Sequence, residues 1–142
     1  MELFDLYDHQ RRPLGRTMVR GTKTPDGCYR LVVHISIFNS KGEMLIQQRQ
    51  SFKDDWQNLW DLSVGGSVTT GETSQVGAER ELLEELSITA DFQGKAPDLS
   101  ITSTAVLTTI ISCTGIWILP TCGCNTKKFK QQGGQQRKRF LP

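Results

Sequence analysis

Three glutamates are spaced so that a helix would bring their carboxylates together. Glu81, Glu84 and Glu85 stand at positions i, i+3 and i+4, a spacing that places side chains on one helical face. Like charges placed this way destabilise a helix by about 0.2–0.5 kcal/mol per pair, and an isolated example is typical of a solvated charged face. Carboxylates are also the hard oxygen donors that Mg²⁺ prefers, and divalent cations would relieve the repulsion. The pattern therefore indicates a solvent-facing helix or a metal site.

The residues before the glutamates favour the metal site. Five residues separate Gly66 from Glu72, and seven more separate Glu72 from Arg80. This order resembles the Nudix box, G-x5-E-x7-R-E-U-x-E-E-x-G-U, in which U is a bulky aliphatic residue. Eight of its nine fixed positions match: Gly66, Glu72, Arg80, Glu81, Leu82, Glu84, Glu85 and Ile88. The ninth is Ser87 instead of glycine, and it falls where the helix should end, so it bears on the C-terminal turn more than on the chemistry.

The resemblance implies a metal-binding role for the carboxylates. Glu81, Glu84 and Glu85 would bind Mg²⁺, with Mn²⁺ as an alternative ion, and the backbone carbonyl of Gly66 would be a further ligand. One glutamate, for which we take Glu84, would also serve as the catalytic base. Bound ions would neutralise a diphosphate, orient it and lower the pKa of an attacking water.

The same resemblance implies catalytic roles for two further box residues. Glu72 would hold the ligand shell or the attacking water in place. Arg80 would pair with a box glutamate, and direct contact between Arg80 and a substrate phosphate is the less favoured alternative.

Sequence outside the box resembles the Nudix branch that includes isopentenyl-diphosphate isomerase. The resemblance covers roughly residues 3–102 and is carried by residues 34–39, 45–49 and 60–66 together with Trp56. That isomerase uses a cysteine just before the box glycine and a histidine just after it. Here these places hold Gly65 and Ser67, neither of which can do acid–base work. The resemblance therefore favours hydrolysis over isomerisation.

Four features outside the box could also take part in chemistry. His34 is a lone histidine in a β-run, which is more often structural than catalytic. Arg49 ends a strand and could bind a substrate phosphate or form a surface ion pair. Trp56 and Trp60 could stack on a nucleobase, although tryptophans in a loop are more often packing anchors. Residues 127–139 hold six basic residues, a pattern for which a nucleic-acid patch is the less favoured explanation.

Turn signals and apolar runs predict the strands that position the box. Residues 24–27 (TPDG) predict a turn, because proline presets φ and glycine tolerates positive φ. Residues 31–38 form a β-branched apolar run of buried-strand length, and residues 44–48 return as a second strand after a hairpin loop at 39–42. A short strand is expected at 62–64, running into the glycine pair.

Helical periodicity predicts one helix over residues 74–86, with Thr73 as N-cap. Its core-facing arc should comprise Val76, Ala78, Leu82, Leu83 and Leu86. Gly77 lies on the carboxylate arc. Because a glycine inside a helix costs up to about 1 kcal/mol relative to alanine, close approach by another group is expected there.

Charge divides the chain into two dissimilar parts. All 15 acidic residues lie in residues 1–98, where only 11 of the 17 Lys and Arg residues are found. Residues 99–142 contain no Asp or Glu and six basic residues. The acidic D-D-Y-Y and E-E-V segments that continue Nudix proteins are also missing there. Codons can be chosen for residues 102–112 so that a shifted frame reads F-D-R-G-F-D-D-Y-Y-L, and we hypothesise that the tail from about residue 103 is frame-shifted.

These observations predict one α/β domain over residues 1–142. It should be a Nudix-type α/β/α sandwich with a mixed sheet, family-like over 1–102, whose closing C-terminal elements are missing or altered in the atypical tail, 103–142. The longest apolar stretch, residues 105–119, is shorter than the roughly 20 residues that span a membrane, and the N-terminus does not predict a signal peptide. Cys28, Cys113, Cys122 and Cys124 are expected to be free thiols, with a metal site at the last two as the alternative.

The predicted function is that of a Mg²⁺-dependent cytoplasmic hydrolase. Its substrate should be a small-molecule diphosphate, with a nucleoside diphosphate derivative favoured. No nucleic acid or membrane partner is expected, and a homodimer is left open. Two alternatives are an isopentenyl-diphosphate isomerase and a non-catalytic protein that has lost the closing half of the fold.

Overall fold

A computed structural model describes residues 1–51, 57–114 and 138–141 of the chain. Its elements are β1 (Leu3–Tyr7), β2 (Pro13–Val19), β3 (Arg30–Phe38), β4 (Met44–Gln48), β5 (Trp60–Asp61), β6 (Val64–Ser67), α1 (Ser74–Leu86), β7 (Leu99–Thr102), β8 (Val106–Thr114) and β9 (Lys138–Leu141). The predictions made for Trp56, Cys122, Cys124 and most of the basic segment lie outside the described residues. No helix among the residues described is long and apolar enough to cross a membrane.

The chain forms two compact units, and β3, β6 and β8 contribute residues to both. The first unit comprises residues 1–35 and 65–111, and the second comprises 36–64 and 112–142. Every residue of the sequence-predicted box lies in the first unit. The elements are those of an α/β fold with a mixed sheet, as predicted, and α1 is the one helix in the part of the chain that the structure describes.

An antiparallel hairpin opens the first unit. β1 pairs with β2 through the register Phe4↔Met18, and Phe4, Leu6, Met18 and Cys28 form a buried apolar cluster. A turn is present one residue later than the predicted 24–27, because the Cys28 amide donates to the Pro25 carbonyl at 3.0 Å and so closes residues 25–28. Further along, β6 pairs with β3, which also neighbours β8, while β8 pairs antiparallel with β7.

Helix α1 begins and ends at the residues predicted. The Thr73 side chain accepts a hydrogen bond from the Val76 amide at 3.2 Å, which satisfies one of the unpaired donors at the helix start. At the other end, Ser87 adopts the left-handed conformation, φ 56° and ψ 33°, and its amide donates to the Leu83 carbonyl at 2.8 Å. The serine therefore occupies the backbone conformation that usually selects glycine.

The prediction of the helix face was partly wrong. Val76 and Leu83 are 47% and 50% exposed, whereas the buried helical residues are Gly77, Ala78, Leu82 and Leu86. The physical reason is Gly77: a Cβ there would lie 3.0 Å from Cγ2 of Val68, so the missing side chain lets Val68 pack against the helix. The packed face is consequently turned toward Gly77, at 100° per residue, and Glu81 and Glu85 fall within it.

The second unit is built around β4. Strand β4 pairs antiparallel with the end of β3 (Phe38↔Met44), with β5 (Gln48↔Trp60) and with β9 (Leu45↔Phe140). The strand predicted at 62–64 is displaced, because β5 ends at Asp61 and β6 begins at Val64. Buried Ser63 lies between them, where its hydroxyl accepts from the Ile37 amide and donates to the Leu45 carbonyl. This side chain supplies hydrogen bonds to β3 and β4 that a strand backbone would otherwise make.

Candidate functional site

Strand β6 and helix α1 bring the first and second halves of the box together at Gly66. The carboxylate of Glu81 lies directly against this glycine, so closely that a Cβ at position 66 would overlap its atoms. Side-chain contacts this short do not occur in proteins, so no larger residue fits at position 66 without moving Glu81. The spacing between Gly66 and Glu81 thus reflects an approach of carboxylate to strand backbone that only glycine allows.

Arg80 is the centre of the carboxylate cluster. Its guanidinium donates to Glu72 from Nε at 2.8 Å and from Nη2 at 3.1 Å. Nη1 donates to Oε1 of Glu81 at 2.8 Å and to Oε2 of Glu84 at 3.3 Å, and Nη2 also reaches the Ser67 carbonyl at 2.9 Å. Arg80 therefore ties the helix to β6 and to the loop that precedes the helix.

Glu72 is held in that loop by the backbone. Its Oε2 accepts from the Thr69 amide at 2.9 Å, and its own amide donates to the Thr69 carbonyl at 3.1 Å. The same loop is attached to the hairpin, because the Gly71 amide donates to Oδ2 of Asp5 at 2.8 Å and the Thr70 amide donates to the Leu3 carbonyl at 2.9 Å. Residues of β1 consequently help to position Glu72, the first glutamate of the box.

Two partly buried carboxylates of the cluster, Glu72 and Glu81, have pKa values shifted in opposite directions. For Glu72, burial alone would raise the pKa, but hydrogen bonds from Arg80 and from Thr69 outweigh it and lower the pKa below its ordinary value. For Glu81, burial is the dominant cause and raises the pKa, with help from the negative charges of Glu84 and Glu2, despite the contact with Arg80. Glu72 is thus stabilised as an anion, whereas Glu81 carries an electrostatic cost.

The remaining two box glutamates differ in exposure. The Glu84 side chain is 58% exposed and reaches Arg80 at the surface, while Glu85 is partly buried one residue further along α1. Within residues 1–51, 57–114 and 138–141, no three His, Cys, Asp or Glu side chains converge on one point as the ligands of a bound ion would. The positive charge at the centre of these carboxylates belongs to Arg80.

The chemistry of the donor set nevertheless fits a divalent cation. The side chains on this face of α1 that could bind a cation would do so through carboxylate oxygens, the ligands that Mg²⁺ prefers. Gly66 leaves room for the Glu81 carboxylate beside the backbone of β6. The raised pKa of Glu81 identifies a carboxylate whose charge a cation would stabilise.

Residue Arg49, predicted to bind substrate, lies in the second unit. Its backbone amide donates to the Leu59 carbonyl at 2.9 Å, and its Nη1 lies 3.5 Å from Oδ2 of Asp61. Arg49 therefore forms an ion pair with Asp61, which is the alternative to phosphate binding. Trp60 lies in the same unit, 40% exposed, with the Arg139 guanidinium 4.2 Å from its ring centroid.

The two positions that distinguish the isomerase branch are both occupied by other contacts. A Cβ at Gly65 would lie 2.6 Å from Nδ1 of His34, so the histidine ring fills the space that a cysteine side chain would need. At the other position, the Ser67 hydroxyl accepts a hydrogen bond from Nη1 of Arg30 at 2.7 Å. Elsewhere in this unit, Cys28 agrees with the free-thiol prediction, and its sulfur accepts a hydrogen bond from Arg16.

Sequence reasoning missed two residues near the cluster, Asp5 and Arg30. Asp5 binds the box loop through Gly71, and Arg30 binds Ser67, the residue after the box glycine. These contacts join residues 37 to 66 positions apart, and no local spacing predicts them. The one available signal was a charged residue, Arg30, at the start of the apolar β3 run.

A sequence model of the NUDIX domain matches residues 29–110, more than half of the chain. The chain belongs to the Nudix family. A Nudix hydrolase of Listeria monocytogenes, named as uncharacterised, is 51% identical over 94 residues, which are 66% of this chain and 56% of that protein. A crystal structure of a Deinococcus radiodurans protein agrees with a TM-score of 0.66 at 25% identity, covering 80% of this chain and 72% of that one.

The isomerase branch is represented more distantly among the relatives. An isopentenyl-diphosphate Δ-isomerase of Corynebacterium diphtheriae is 29% identical over 91 residues, which are 64% of this Nudix chain and 50% of the isomerase. The chain spans about half the length of the sequence relatives it matches.

Proposed function

We propose that this Nudix protein is a Mg²⁺-dependent cytoplasmic hydrolase that cleaves a diphosphate linkage, with a nucleoside diphosphate derivative as the favoured substrate and Mn²⁺ as an alternative ion. The observation that carries the proposal is the approach of Glu81 to Gly66 within the cluster around Arg80. This contact puts a partly buried carboxylate, whose pKa is raised by burial, beside strand backbone, and its neighbours are further carboxylates.

The residues divide into ligands and a framework. Glu81, Glu84 and Glu85, with the backbone carbonyl of Gly66, would hold the ion, and when bound it would neutralise the diphosphate and acidify a water. Glu72 is the framework carboxylate, because two hydrogen bonds from Arg80 and one from Thr69 fix its position.

Arg80 has contacts of two kinds, and we propose that they respond differently to the ion. Its two hydrogen bonds to Glu72 and the one to the Ser67 carbonyl maintain the framework. A bound cation would replace Arg80 as the partner of Glu81 and Glu84. A divalent ion carries two positive charges, whereas the guanidinium shares one charge between the two carboxylates. Glu84, the more exposed of the two, is the one we assign as base.

The isomerase alternative is weaker on structural grounds. Proton transfer to and from an isoprenoid needs an acid and a base on either side of the substrate. Position 65 is blocked for a larger side chain by His34, and Ser67 is bound to Arg30. Neither Gly65 nor Ser67 itself carries a side chain that exchanges protons near neutral pH.

A Glu85→Gln variant tests the hydrolase proposal. It keeps the shape of the side chain and removes its charge, so Mg²⁺-dependent hydrolysis across a panel of nucleoside diphosphate derivatives should fall by at least about 100-fold, as for loss of a metal ligand. Asp26→Asn is the matched control, because this substitution removes the same charge from a side chain that is 96% exposed. Undiminished turnover by Glu85→Gln would remove this residue from the site.

The non-catalytic alternative concerns the chain after residue 102. We propose that this tail is not in the family's reading frame, so the closing elements of the fold could be lost with it. Limited proteolysis distinguishes a protein with the closing half of the fold from one that has lost it. A protease-resistant core that extends through residue 142 argues against loss of the closing half, and a core that ends near residue 102 supports it.

A further inference from the structure

We propose that Arg30 binds a phosphate group of the substrate at the edge of the box. This inference rests on the proposed function, since it assigns the diphosphate a second point of attachment besides the carboxylate cluster. The ligand chemistry is an anionic phosphate oxygen pair, such as the terminal phosphate of a diphosphate.

Arg30 is connected to the box through one residue. Its Nη1 donates to the Ser67 hydroxyl at 2.7 Å, and the carbonyl of the same serine accepts from Nη2 of Arg80 at 2.9 Å. Ser67 directly follows Gly66, against which the Glu81 carboxylate lies. The guanidinium is therefore one residue along β6 from the strand backbone that the proposed metal site uses.

The charge of Arg30 is poorly compensated. The side chain is half-buried, and its guanidinium carbon lies 5.6 Å from the Phe4 ring centroid. Among the residues that the structure describes, the ion pairs of the first unit involve Arg12, Arg20, Lys23 and Arg80, and no carboxylate pairs with Arg30. A guanidinium has five N–H donors, and the Ser67 hydroxyl uses one of them.

The electrostatic surroundings of Arg30 disfavour its charged form. Burial lowers the pKa of Arg30, and the positive charge of Arg20 lowers it further. Arg20 is itself paired with Glu2. The charge of Arg30 is therefore the one that a bound anion would compensate.

An anion with paired oxygens satisfies this arrangement. A phosphate would accept two parallel hydrogen bonds from the guanidinium of Arg30. A diphosphate held there by one phosphate would extend its second phosphate toward the carboxylate face, where a bound cation would receive it. A neutral ligand would leave the charge of Arg30 uncompensated.

Binding of methylenediphosphonate, a diphosphate analogue that cannot be hydrolysed, tests the proposal. Calorimetry in EDTA removes divalent ions, so it reports binding at Arg30 without the carboxylate–metal site. We expect wild type to bind, Arg30→Gln to bind about 10- to 100-fold more weakly, and Arg30→Lys to be intermediate because lysine keeps the charge without the planar fork. Arg12→Gln is the matched control, since Arg12 is an exposed arginine of the same unit that pairs with Asp8.

Two outcomes overturn the proposal: no binding of the analogue by wild type, or equal affinity of wild type and Arg30→Gln. If wild type binds through Arg30 but hydrolyses no diphosphate, the phosphate site stands and the proposed hydrolase activity fails. Should both Arg30 variants fail to fold, side-chain NMR of wild type takes their place, with the Arg30 Nε resonance assigned through its contact with Phe4. A resonance that does not move on titration with the analogue refutes the site.

Discussion

Arg80 binds Glu72 through two parallel hydrogen bonds, from Nε to Oε1 at 2.8 Å and from Nη2 to Oε2 at 3.1 Å. Both side chains are largely buried, at 26% and 16% exposure, so this pair is shielded from solvent more than an ordinary surface ion pair. It fixes the loop before α1 to the middle of the helix. The carboxylates that the proposed ion would bind are therefore arranged around a guanidinium whose own position is set by Glu72.

Replacing Glu72 by glutamine should make folding less sensitive to acid. The folded pKa of Glu72 lies below its ordinary value of 4.5, so its contribution to stability is complete above that value and is lost as the pH falls through the folded pKa. We expect Glu72→Gln to lower the free energy of unfolding at pH 7 by about 1–3 kcal/mol. The difference from wild type should shrink toward zero in urea titrations below pH 4. A difference that stays constant with pH contradicts the assignment.

Replacing Glu81 by glutamine should have the opposite sign. The folded pKa of Glu81 is raised, so its ionised form opposes folding at neutral pH and the opposition fades as the pH falls through that pKa. In EDTA at pH 7, Glu81→Gln should be at least as stable as wild type, as expected when a functional carboxylate is neutralised. Wild type should gain thermal stability on adding Mg²⁺, and the variant should not. A clear loss of stability in EDTA would show that Glu81 is structural.

Adding one methyl group at Gly66 should displace the Glu81 carboxylate. Gly66→Ala is expected to abolish the Mg²⁺-dependent rise in melting temperature and to reduce hydrolysis by about 100-fold, because small displacements of reacting groups have effects of that order. Gly21→Ala is the control: position 21 has open space and φ of +85°, so alanine should cost about 1 kcal/mol of stability and leave the response to Mg²⁺ intact. Equal behaviour of the two variants would refute the steric explanation.

Ser87→Gly should stabilise the protein by about 0.5–1 kcal/mol. Ser87 is held at φ 56°, where a side chain is strained and glycine is not, and the gain exceeds the entropy that glycine adds to the unfolded chain. Ser87→Ala keeps the strain and should bring no gain. Chemical denaturation of the three proteins measures the effect, which should appear in the midpoint without a change in slope. Hydrolysis should be unaffected, because residue 87 only closes the helix.

The tail hypothesis predicts a displaced reading frame in the encoding DNA near codons 95–105. Residues 99–142 contain no acidic residue, whereas the preceding part contains all 15. Resequencing independent clones should reveal a single-base insertion or deletion. Reversing that change should restore the acidic segments of the family. An uninterrupted frame in every clone would eliminate the hypothesis.

Local signals predicted the elements of the fold better than their contacts. Helix α1 was predicted to the residue because Thr73 caps it and its periodicity is regular, and both causes act within a few positions. The buried face was predicted less well, because it depends on Val68 filling the space beside Gly77. The placement of Gly65 and Gly66 inside β6 also escaped prediction, since pairing with β3 makes them a strand although glycine has little strand propensity.

The candidate site shows the same division between local and distant causes. The spacing of the box brings Glu84 within reach of Arg80, because residues four apart are neighbours on a helix. The guanidinium at Arg30 and the carboxylate at Asp5 could not be predicted, because strand pairing brings them to Ser67 and Gly71 across distances that no periodicity spans.

The hydrogen bond from the Gly71 amide to Asp5 has a practical consequence for how the domain should be trimmed. The part of the chain that matches the NUDIX sequence model starts at residue 29, yet Asp5 and the Leu3 carbonyl hold the loop that carries Glu72. A shortened protein that begins at residue 29 would retain every recognised motif residue and lose the outer support of that loop. The match to the NUDIX sequence model alone would therefore draw the boundary of the working unit too late in the chain.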